Sequence, residues 1–342
     1  MCRFQMSDDS AERNMDGIGV VLLQMGGPRN IDEVEPFLRK LLSDPDLIRL
    51  PPWMRPVQPA FGAVTAMMRA KSARPMYSSI GGGSPLVPIT LSLMDKLREE
   101  LQKNGFPVTV TTAMRFCSPT ASEAVCSLQK VMPKNVLLVP LYPHYSPTTA
   151  GSSVNDFLRC SNAAGWKTSV AKEWGHHPAY VSLLAEWVQT TLETGSDGGD
   201  GPWHILFTAH GLPERYVRDG DDYPEKLHQA AEAVASRVSG CDEWHLSFQS
   251  RLGPVKWTGP YTDEMVATLA HEGVRSLIVV PMGFVSDHLE TLYEIDILYK
   301  RLAHKVGIKN FLRVPAFNDH PDFAKLLARI VAGEMEEVRS GS

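Results

Sequence analysis

The chain has 342 residues, of which 43% are hydrophobic and 21% are charged, with a formal net charge of -5. This length suits two domains with a core each, and the composition is that of a soluble globular protein. The acidic balance and the lack of a dense Lys/Arg stripe argue against nucleic acid as a partner. No apolar run is long enough to span a membrane, and residues 1–16 are polar, without the apolar core of a signal peptide. We therefore expect a disordered N-terminus at 1–16 and a cytoplasmic protein.

The cysteines argue against a covalent or metal-bound scaffold. They number five and include no C-x-x-C pair: Cys2, Cys117, Cys126, Cys160 and Cys241. A disulfide framework, a zinc ribbon and a locally ligated iron–sulfur cluster all need closer or paired spacing. We expect reduced thiols.

Short β-branched apolar runs alternate with helical stretches along the whole chain. This alternation is typical of parallel strands joined by crossover helices. The predicted strands lie near residues 17–25, 107–114, 135–141, 168–173, 203–210, 243–248, 276–282 and 311–314. Eight strands suggest an α/β fold with two four-stranded sheets, with the domain junction near 173–179.

The segment 50–85, between the first two predicted strands, is too long for a plain crossover. Within it Trp53, Phe61 and Met68 alternate with Arg55 and Arg69. Apolar groups rimmed by cations suit a segment that touches a membrane surface or an amphipathic anionic ligand. The alternative is an ordinary helical hairpin packed on its domain.

The two halves of the chain resemble each other in order. Three pairs of segments correspond: Val20–Pro28 with His204–Pro213, Ala113–Phe116 with Ser247–Arg251, and Val136–Tyr142 with Leu277–Gly283. Two similar α/β halves would then face each other across a cleft. Chance similarity among hydrophobic strands is the alternative.

The segment Ser286–Glu294 directly follows a predicted buried strand. Glu290 and Glu294 are four residues apart and would share one face of a helix. A histidine beside stacked carboxylates can accept protons or hold a divalent cation. The alternative is a helix start with Asp287 as N-cap and Glu290 as its capping-box partner, which leaves His288 and Glu294 unexplained.

Other motifs exclude common enzyme classes. No G-x-S-x-G elbow is present, so an acyl-transfer enzyme is not expected. The glycines at 81–83 lack the Lys-Ser/Thr ending of a phosphate loop, and Pro28 interrupts a dinucleotide fingerprint at 26–28. If the halves face each other, strand ends bring together soft, aromatic and acidic side chains: Met25, Arg115, Phe116, Tyr145, His210, His288, Glu290 and Glu294.

Six motifs follow one another across residues 17–338: Leu23–Pro28, Tyr77–Pro85, Tyr142–Ser146, Ala209–Pro213, Trp257–Pro260 and Gly283–Glu294. In this order they resemble the motifs of the ferrochelatases, which insert ferrous iron into a porphyrin. The resemblance implies two Rossmann-like domains, each with a four-stranded parallel sheet, and an active-site cleft between them. The first would comprise 17–175 and the C-terminal helix 318–342, with a porphyrin lip at 50–85. The second would comprise 176–317.

The resemblance also implies roles for individual residues. His210 matches the active-site histidine, a proton acceptor or metal ligand, and His288 and Glu290 are the other expected catalytic groups. Glu290 would share the metal with His210, and Asp287 and Glu294 would conduct protons or metal. The expected porphyrin-binding residues are Met25, Arg69, Ser84, Arg115, Phe116, Tyr145, Trp257 and Phe284.

Departures from the family pattern refine the prediction. Met25 stands where relatives that use coproporphyrin have tyrosine, which favours protoporphyrin IX as substrate. Phe116 replaces a common tyrosine, and Pro147 replaces a cluster cysteine of animal relatives, so no iron–sulfur cluster is expected. We predict a protoporphyrin ferrochelatase with Fe²⁺ as substrate and no prosthetic group, touching the cytoplasmic face of the inner membrane through residues 50–75. A coproporphyrin III ferrochelatase and a non-catalytic tetrapyrrole- or metal-binding protein are the alternatives.

Overall fold

The computed structural model describes residues 17–195, 202–251, 253 and 255–340. Within these ranges the chain forms two four-stranded parallel sheets flanked by helices. The predicted α/β class and the pairing of eight strands into two sheets are confirmed. The disorder predicted for residues 1–16 lies outside the described ranges.

Eight strands carry the two sheets. They are β1 (Ile18–Gln24), β2 (Thr109–Met114), β3 (Asn135–Pro140), β4 (Lys167–Val170), β5 (Trp203–His210), β6 (Cys241–Gln249), β7 (Ser276–Pro281) and β8 (Asn310–Arg313). The first sheet has the order β2-β1-β3-β4 and the second β6-β5-β7-β8. All eight predicted strands are present, with ends shifted by at most three residues. The central strands are apolar throughout because helices cover both faces of each sheet.

Eleven α-helices occur within the described residues. They are α1 (Val34–Leu42), α2 (Gln58–Ser79), α3 (Leu86–Lys103), α4 (Ala121–Gln129), α5 (Ser152–Ser161), α6 (Pro178–Gly195), α7 (Glu214–Arg218), α8 (Tyr223–Ala235), α9 (Thr262–His271), α10 (Lys300–Val306) and α11 (Pro321–Ser340). The C-terminal α11 returns to the first sheet, where it packs on α3 and β3. Two π-helical segments, Pro147–Gly151 and Glu290–Tyr299, follow β3 and β7.

One apolar core connects the two sheets. It contains Leu22 of β1 and Val139 of β3 together with Phe207 of β5 and Val280 of β7. The opposite faces have separate cores, one with α4 and α5 and one with α9 and α10. The halves therefore share a hydrophobic layer, which fixes the distance between their strand ends. The predicted domain boundaries stay a prediction.

The two halves repeat the same topology, which confirms the internal similarity seen in the sequence. Strands β1, β2 and β3 take the places of β5, β6 and β7, and a π-helical segment follows the third strand of each half. The backbone N–H of Met114 donates to the Pro119 carbonyl, and that of Phe248 donates to the Pro260 carbonyl. In this alignment Met25 occupies the position of His210, and Arg115 that of Gln249.

The excursion between β1 and β2 forms a 3₁₀ turn (Pro52–Val57) followed by the long helix α2. Small residues of α2 face inward, among them Gly62, Ala66 and Ala70, and let it pack closely on α1. The opposite side exposes a row of large apolar side chains: Trp53, Val57, Phe61, Val64, Met67 and Met68. Packing as an ordinary helical hairpin therefore explains the inward face of α2 and leaves the exposed apolar row unexplained. No helix among the described residues is both long and apolar enough to cross a membrane.

Candidate active site

The site is built around His210, the last residue of β5. Its Nδ1 lies 2.9 Å from Oε1 of Glu290, which begins the π-helical segment after β7. Because β5 and β7 are neighbouring parallel strands, their carboxyl ends open at the same edge of the sheet. The edge thus brings together two side chains that are 80 residues apart in the chain. Only 13% of the Glu290 side chain and 30% of the His210 side chain are exposed.

A further hydrogen bond, from Gln249, holds Glu290 as a carboxylate. Gln249 Nε2 donates to its Oε2 at 2.9 Å, and His288 Nε2 lies 3.9 Å from the same oxygen. Burial opposes ionisation of Glu290, but the charge and hydrogen bond of His210 outweigh it and hold its pKa below the ordinary value. Burial likewise disfavours charge on His210, yet Glu290 raises the pKa of that imidazole. Each member of the pair therefore favours the charged form of the other.

Glu294 lies four residues after Glu290 in the same π-helical segment. Ser250 Oγ donates to its Oε2 at 2.7 Å. Burial, and then the negative charge of Glu290, raise the pKa of Glu294 to about 7. Two carboxylates with pKa values shifted in opposite directions stand side by side, an arrangement suited to moving protons at neutral pH.

His288 presents an unpaired nitrogen to these acids. Its ring is almost fully buried, Nδ1 lies 3.0 Å from the Ser286 carbonyl, and Nε2 has no hydrogen-bond partner. With Nδ1–H donating to that carbonyl, the neutral ring keeps a lone pair on Nε2. The lone pair and Glu290 Oε2, 3.9 Å apart, leave a gap that a cation can occupy. Phe284 packs against the ring at 4.1 Å between centroids.

The predicted capping box is wrong. Asp287 N–H donates to Asn318 Oδ1 at 2.7 Å, while the carboxylate of Glu290 turns to His210 and Gln249. Instead, Thr291 Oγ1 accepts the His288 N–H and donates to Asp287. Charged partners in the tertiary structure stabilise Glu290 more strongly than a local backbone N–H would.

Asp287, predicted to conduct protons or metal, is enclosed by fixed donors. Arg313 Nη1 lies 3.1 Å from Oδ1, and Asn318 Nδ2 donates to Oδ2 at 2.9 Å. These contacts tie the start of the π-helical segment to β8 and to the chain before α11. The structure therefore gives Asp287 a clear anchoring contact, and its predicted role in conduction stays a prediction.

Helix α2 closes the site from the first half. Its Ala70 and Tyr77 pack with Leu289, next to the acidic segment. Burial and the charge of Glu290 both raise the pKa of the Tyr77 hydroxyl, so it stays protonated. Burial lowers the pKa of the Arg69 guanidinium, and the charge of Glu294 opposes that shift. Arg69, which is predicted to bind porphyrin, thus lies close enough to Glu294 for the two charges to interact.

The remaining predicted porphyrin-binding residues lie at strand ends and loops around the same edge. Met25 follows β1 and is partly exposed, and Phe116 is buried against Phe37. Tyr145 is 41% exposed. Trp257 meets the His210 ring edge to face at 6.0 Å. Ser84 is buried, and its backbone N–H donates to the Pro28 carbonyl at 2.7 Å.

Arg115 is the cation at the end of β2, and its charge is neutralised within the first half. Its guanidinium lies 3.0 Å from Asp44 and 3.4 Å from Asp156, and Nε donates to Ser152 Oγ. Asp44 is 1% exposed. These contacts describe a buried structural ion pair, and contact of Arg115 with a porphyrin stays a prediction.

No role was predicted for Gln249, Ser250 or Tyr77. The first two donate hydrogen bonds to Glu290 and Glu294, and the charge of Glu290 raises the pKa of Tyr77. A signal for the first two was present, since Gln249 ends β6, Ser250 follows it, and the two align with Arg115 and Phe116 in the first half. Ser250 has a φ of 66°, a left-handed backbone that is uncommon outside glycine and that accompanies its contact with Glu294.

Comparison with known proteins identifies the family. A sequence model described as ferrochelatase matches residues 17–335. A ferrochelatase of Rippkaea orientalis is 36% identical over 329 residues, covering 94% of this chain and 84% of the relative. A ferrochelatase of Synechocystis is 37% identical over 329 residues with the same coverage.

Two solved structures share the fold. CbiX, described as the terminal enzyme of sirohaem biosynthesis in denitrifying bacteria, has a TM-score of 0.52 at 14% identity and covers 92% of this chain and 98% of its own. SirB from Bacillus subtilis with Fe³⁺ has a TM-score of 0.55 at 13% identity, with 95% and 98% covered. At these identities the likeness concerns the fold alone. The sequence match over nearly the whole chain shows the family, and the chain belongs to the ferrochelatases.

Proposed function

We propose that this protein is an enzyme that inserts Fe²⁺ into protoporphyrin IX to form protohaem. The observation that carries the proposal is the ion pair of His210 and Glu290, supported by Gln249 and followed by Glu294. Metal insertion must remove two weakly acidic pyrrole protons and strip water from the cation. The largely buried base His210 can accept a pyrrole proton. The two carboxylates, whose pKa values are shifted in opposite directions, can bind the cation as it loses water and pass protons on.

His210 would serve as the acceptor of a pyrrole proton. Its Nδ1 is taken by Glu290, which leaves Nε2 for the porphyrin. Because Glu290 raises the pKa of His210, a protonated imidazole would first have to release its proton. Fe²⁺ arriving at Glu290 would replace the imidazolium as the partner charge and lower the pKa of His210. Charge is conserved overall, because one dication enters the porphyrin ring as two protons leave it.

Glu294 would carry the released protons to solvent. Its pKa of about 7 makes it half ionised at neutral pH, so it can both take and give a proton. His288 Nε2 and Glu290 would together hold the cation loosely before transfer. Imidazole and carboxylate ligands are acceptable to ferrous iron, and incomplete coordination lets it leave.

The decisive experiment is iron insertion by His210→Ala. We expect the rate constant for insertion to fall by about 10² to 10⁴, the usual contribution of general base catalysis. Porphyrin binding, followed by Soret absorbance, should persist. His228→Ala, which removes an exposed histidine, is the matched control. Unchanged insertion by His210→Ala would refute the proposal and favour a non-catalytic tetrapyrrole-binding protein.

The choice of porphyrin rests on Met25. A methionine at the partly exposed end of β1 offers apolar contact to vinyl-bearing rings and no hydrogen bond to a further carboxylate. We expect kcat/KM to be higher for protoporphyrin IX than for coproporphyrin III, and Met25→Tyr to narrow the difference. Turnover of coproporphyrin III alone would assign the protein to the alternative substrate.

We also propose that the exposed apolar row on α2 rests on the cytoplasmic surface of a membrane. Trp53 is 79% exposed and Met68 is 58% exposed, and neighbouring Arg55 and Lys71 would meet anionic headgroups. Trp53→Ser with Met68→Ser should reduce co-flotation with anionic vesicles while insertion of iron in detergent is retained. Flotation equal to that of the unchanged protein would contradict this contact.

Finally, we propose that the enzyme works without an iron–sulfur cluster or other prosthetic group. Support comes from the spacing of its five cysteines, which include no C-x-x-C pair. Anaerobically purified protein should contain no acid-labile sulfide. Stoichiometric sulfide that is lost together with activity would overturn the proposal.

A further inference from the structure

We propose that His204, Glu243 and His245 form a second site, for a divalent transition-metal ion such as Zn²⁺, away from the candidate active site. One ligand atom from each of the three residues lies within 4.8 Å of those of the other two. Two imidazoles and a carboxylate are a common donor set for such ions.

The backbone arranges this set. His204 lies on β5, and Glu243 and His245 lie on the edge strand β6. Trp203 pairs with Cys241 but His204 pairs with Glu243, so the register shifts by one residue between them. Side chains alternate between the faces of a strand, and without this shift Glu243 and His245 would point away from His204. A register irregularity that re-aims side chains is typical of functional positions.

The distances suit one small cation. His204 Nδ1 and His245 Nε2 lie 3.2 Å apart, with ring planes within 7° of parallel. Two nitrogens bound to a single tetrahedral Zn²⁺ at about 2.0–2.1 Å lie about 3.3 Å apart. Glu243 Oε2 lies 4.0 Å from His245 Nε2, and its side chain is 69% exposed and therefore able to rotate closer. Solvent can supply the fourth ligand.

The site is separate from the reaction centre. His204 and His210 lie near opposite ends of the same strand, six residues apart, which corresponds to about 20 Å at 3.3 Å per residue. A metal here would link the edge strand β6 to β5 without touching the porphyrin. Its loss should change metal content and local stability, and leave iron insertion unchanged.

The test is titration of the full-length protein with Co²⁺, followed by its visible absorption, and with Zn²⁺, followed by calorimetry. The double variant His210→Ala/Glu290→Gln, which removes both groups predicted to bind metal in the active site, should still bind one Co²⁺ at the second site. Adding His204→Gln or His245→Gln should weaken that binding more than the loss of a residue that only hydrogen-bonds to a metal ligand, which usually costs about 10- to 100-fold in affinity. His228→Gln, on the other face of the same edge, is the control and should bind normally.

Glu243→Gln provides a milder variant if either histidine change impairs folding, because its exposed side chain can be replaced without loss of packing. It should also weaken Co²⁺ binding, and with otherwise native active-site residues it should leave the rate of iron insertion unchanged. Equal Co²⁺ affinity in all variants would overturn the proposal and show the His204–His245 contact to be a hydrogen bond. Loss of binding in His228→Gln as well would also overturn it, by showing non-specific uptake.

Discussion

The two halves of the molecule present the same strand ends with opposite chemistry. At equivalent positions the first half has Met25 and Arg115, and the second has His210 and Gln249. Arg115 is neutralised by Asp44 inside its own half, whereas the Gln249 amide reaches past β5 and donates to Glu290. The duplicated scaffold thus supplies two similar platforms, and in the second the pKa of Glu294 is raised to about 7.

The π-helical segments repeat this contrast. Pro147–Gly151 contains no ionisable side chain, while Glu290–Tyr299 begins with two stacked glutamates. A π-helical turn brings residues four and five apart onto one side, so Glu290 and Glu294 stay adjacent. The two halves therefore share the backbone feature and differ in the side chains that it carries.

The largest effect that we expect concerns the buried ion pair of Arg115 in the first half. Arg115→Met leaves Asp44 buried without its cation, and we expect a loss of about 3–5 kcal/mol in the free energy of unfolding. Chemical denaturation measures this. Arg159→Met, which removes an arginine that is 53% exposed and also paired with Asp156, should cost less than about 1 kcal/mol. A normal melting curve for Arg115→Met with a raised KM would instead give Arg115 a porphyrin-binding role.

The next effect lies in the second half. Glu290→Gln removes the charge that raises the pKa of His210, and we expect the insertion rate to fall by about 10² or more. NMR titration of His210 should show a lower pKa than in the unchanged protein. Porphyrin affinity should change little, since the carboxylate faces the cation. A variant that kept both the rate and the His210 pKa would show that the pair has no catalytic role.

Glu294 gives a pH signature that the first half lacks. Its folded pKa is raised, so between pH 4.5 and about 7 the folded protein keeps a proton that the unfolded chain releases. Its contribution to stability is therefore present below pH 4.5 and is lost as pH rises through 7. Glu294→Gln should increase the free energy of unfolding at pH 8 by about 1–2 kcal/mol, below the ceiling of about 3 set by the pKa shift.

The same variant should flatten the pH–rate profile. In the unchanged protein the rate should rise through pH 7 as Glu294 ionises, and in Glu294→Gln that limb should disappear. Glu99→Gln, which alters an exposed glutamate, should leave both the stability and rate profiles intact. An ascending limb near pH 7 in Glu294→Gln would assign it to another group.

The smallest effect that we expect concerns Gln249, which occupies the position of Arg115 in the second half. Gln249→Leu removes one hydrogen bond to the carboxylate of Glu290, and we expect about a tenfold fall in the insertion rate, corresponding to roughly 1.4 kcal/mol. Stability should change much less than in Arg115→Met. The pair of variants thus separates a structural strand end from a functional one. A larger stability loss in Gln249→Leu would reverse that assignment.

The fold was predictable from the sequence because its signal is local. Buried parallel strands read as short apolar runs, and all eight were recognised from them. The similarity of the halves and the six motifs were also visible. His210 and Glu290 could be singled out as candidates because His210 ends a predicted strand and Glu290 follows the loop after another, where ligands bind in such sheets.

Partners of those residues were less accessible to sequence reasoning. Glu290 could have capped its own helix, and only the position of β5 beside β7 brings His210 within 2.9 Å. Gln249 and Ser250 look like ordinary strand-end residues until β6 places them against the glutamates. The register shift that aligns His204 with Glu243 likewise has no signature in composition or spacing.

The sequence by itself determined the class of fold, the duplicated halves, the family resemblance and the identity of the ionisable groups. The tertiary structure decided how those groups are charged. A pKa depends on burial and on charges a few ångströms away, and these come from segments tens of residues apart in the chain. Hence Glu290 is ionised, Glu294 titrates near neutrality, and Arg115 is neutralised within its own half.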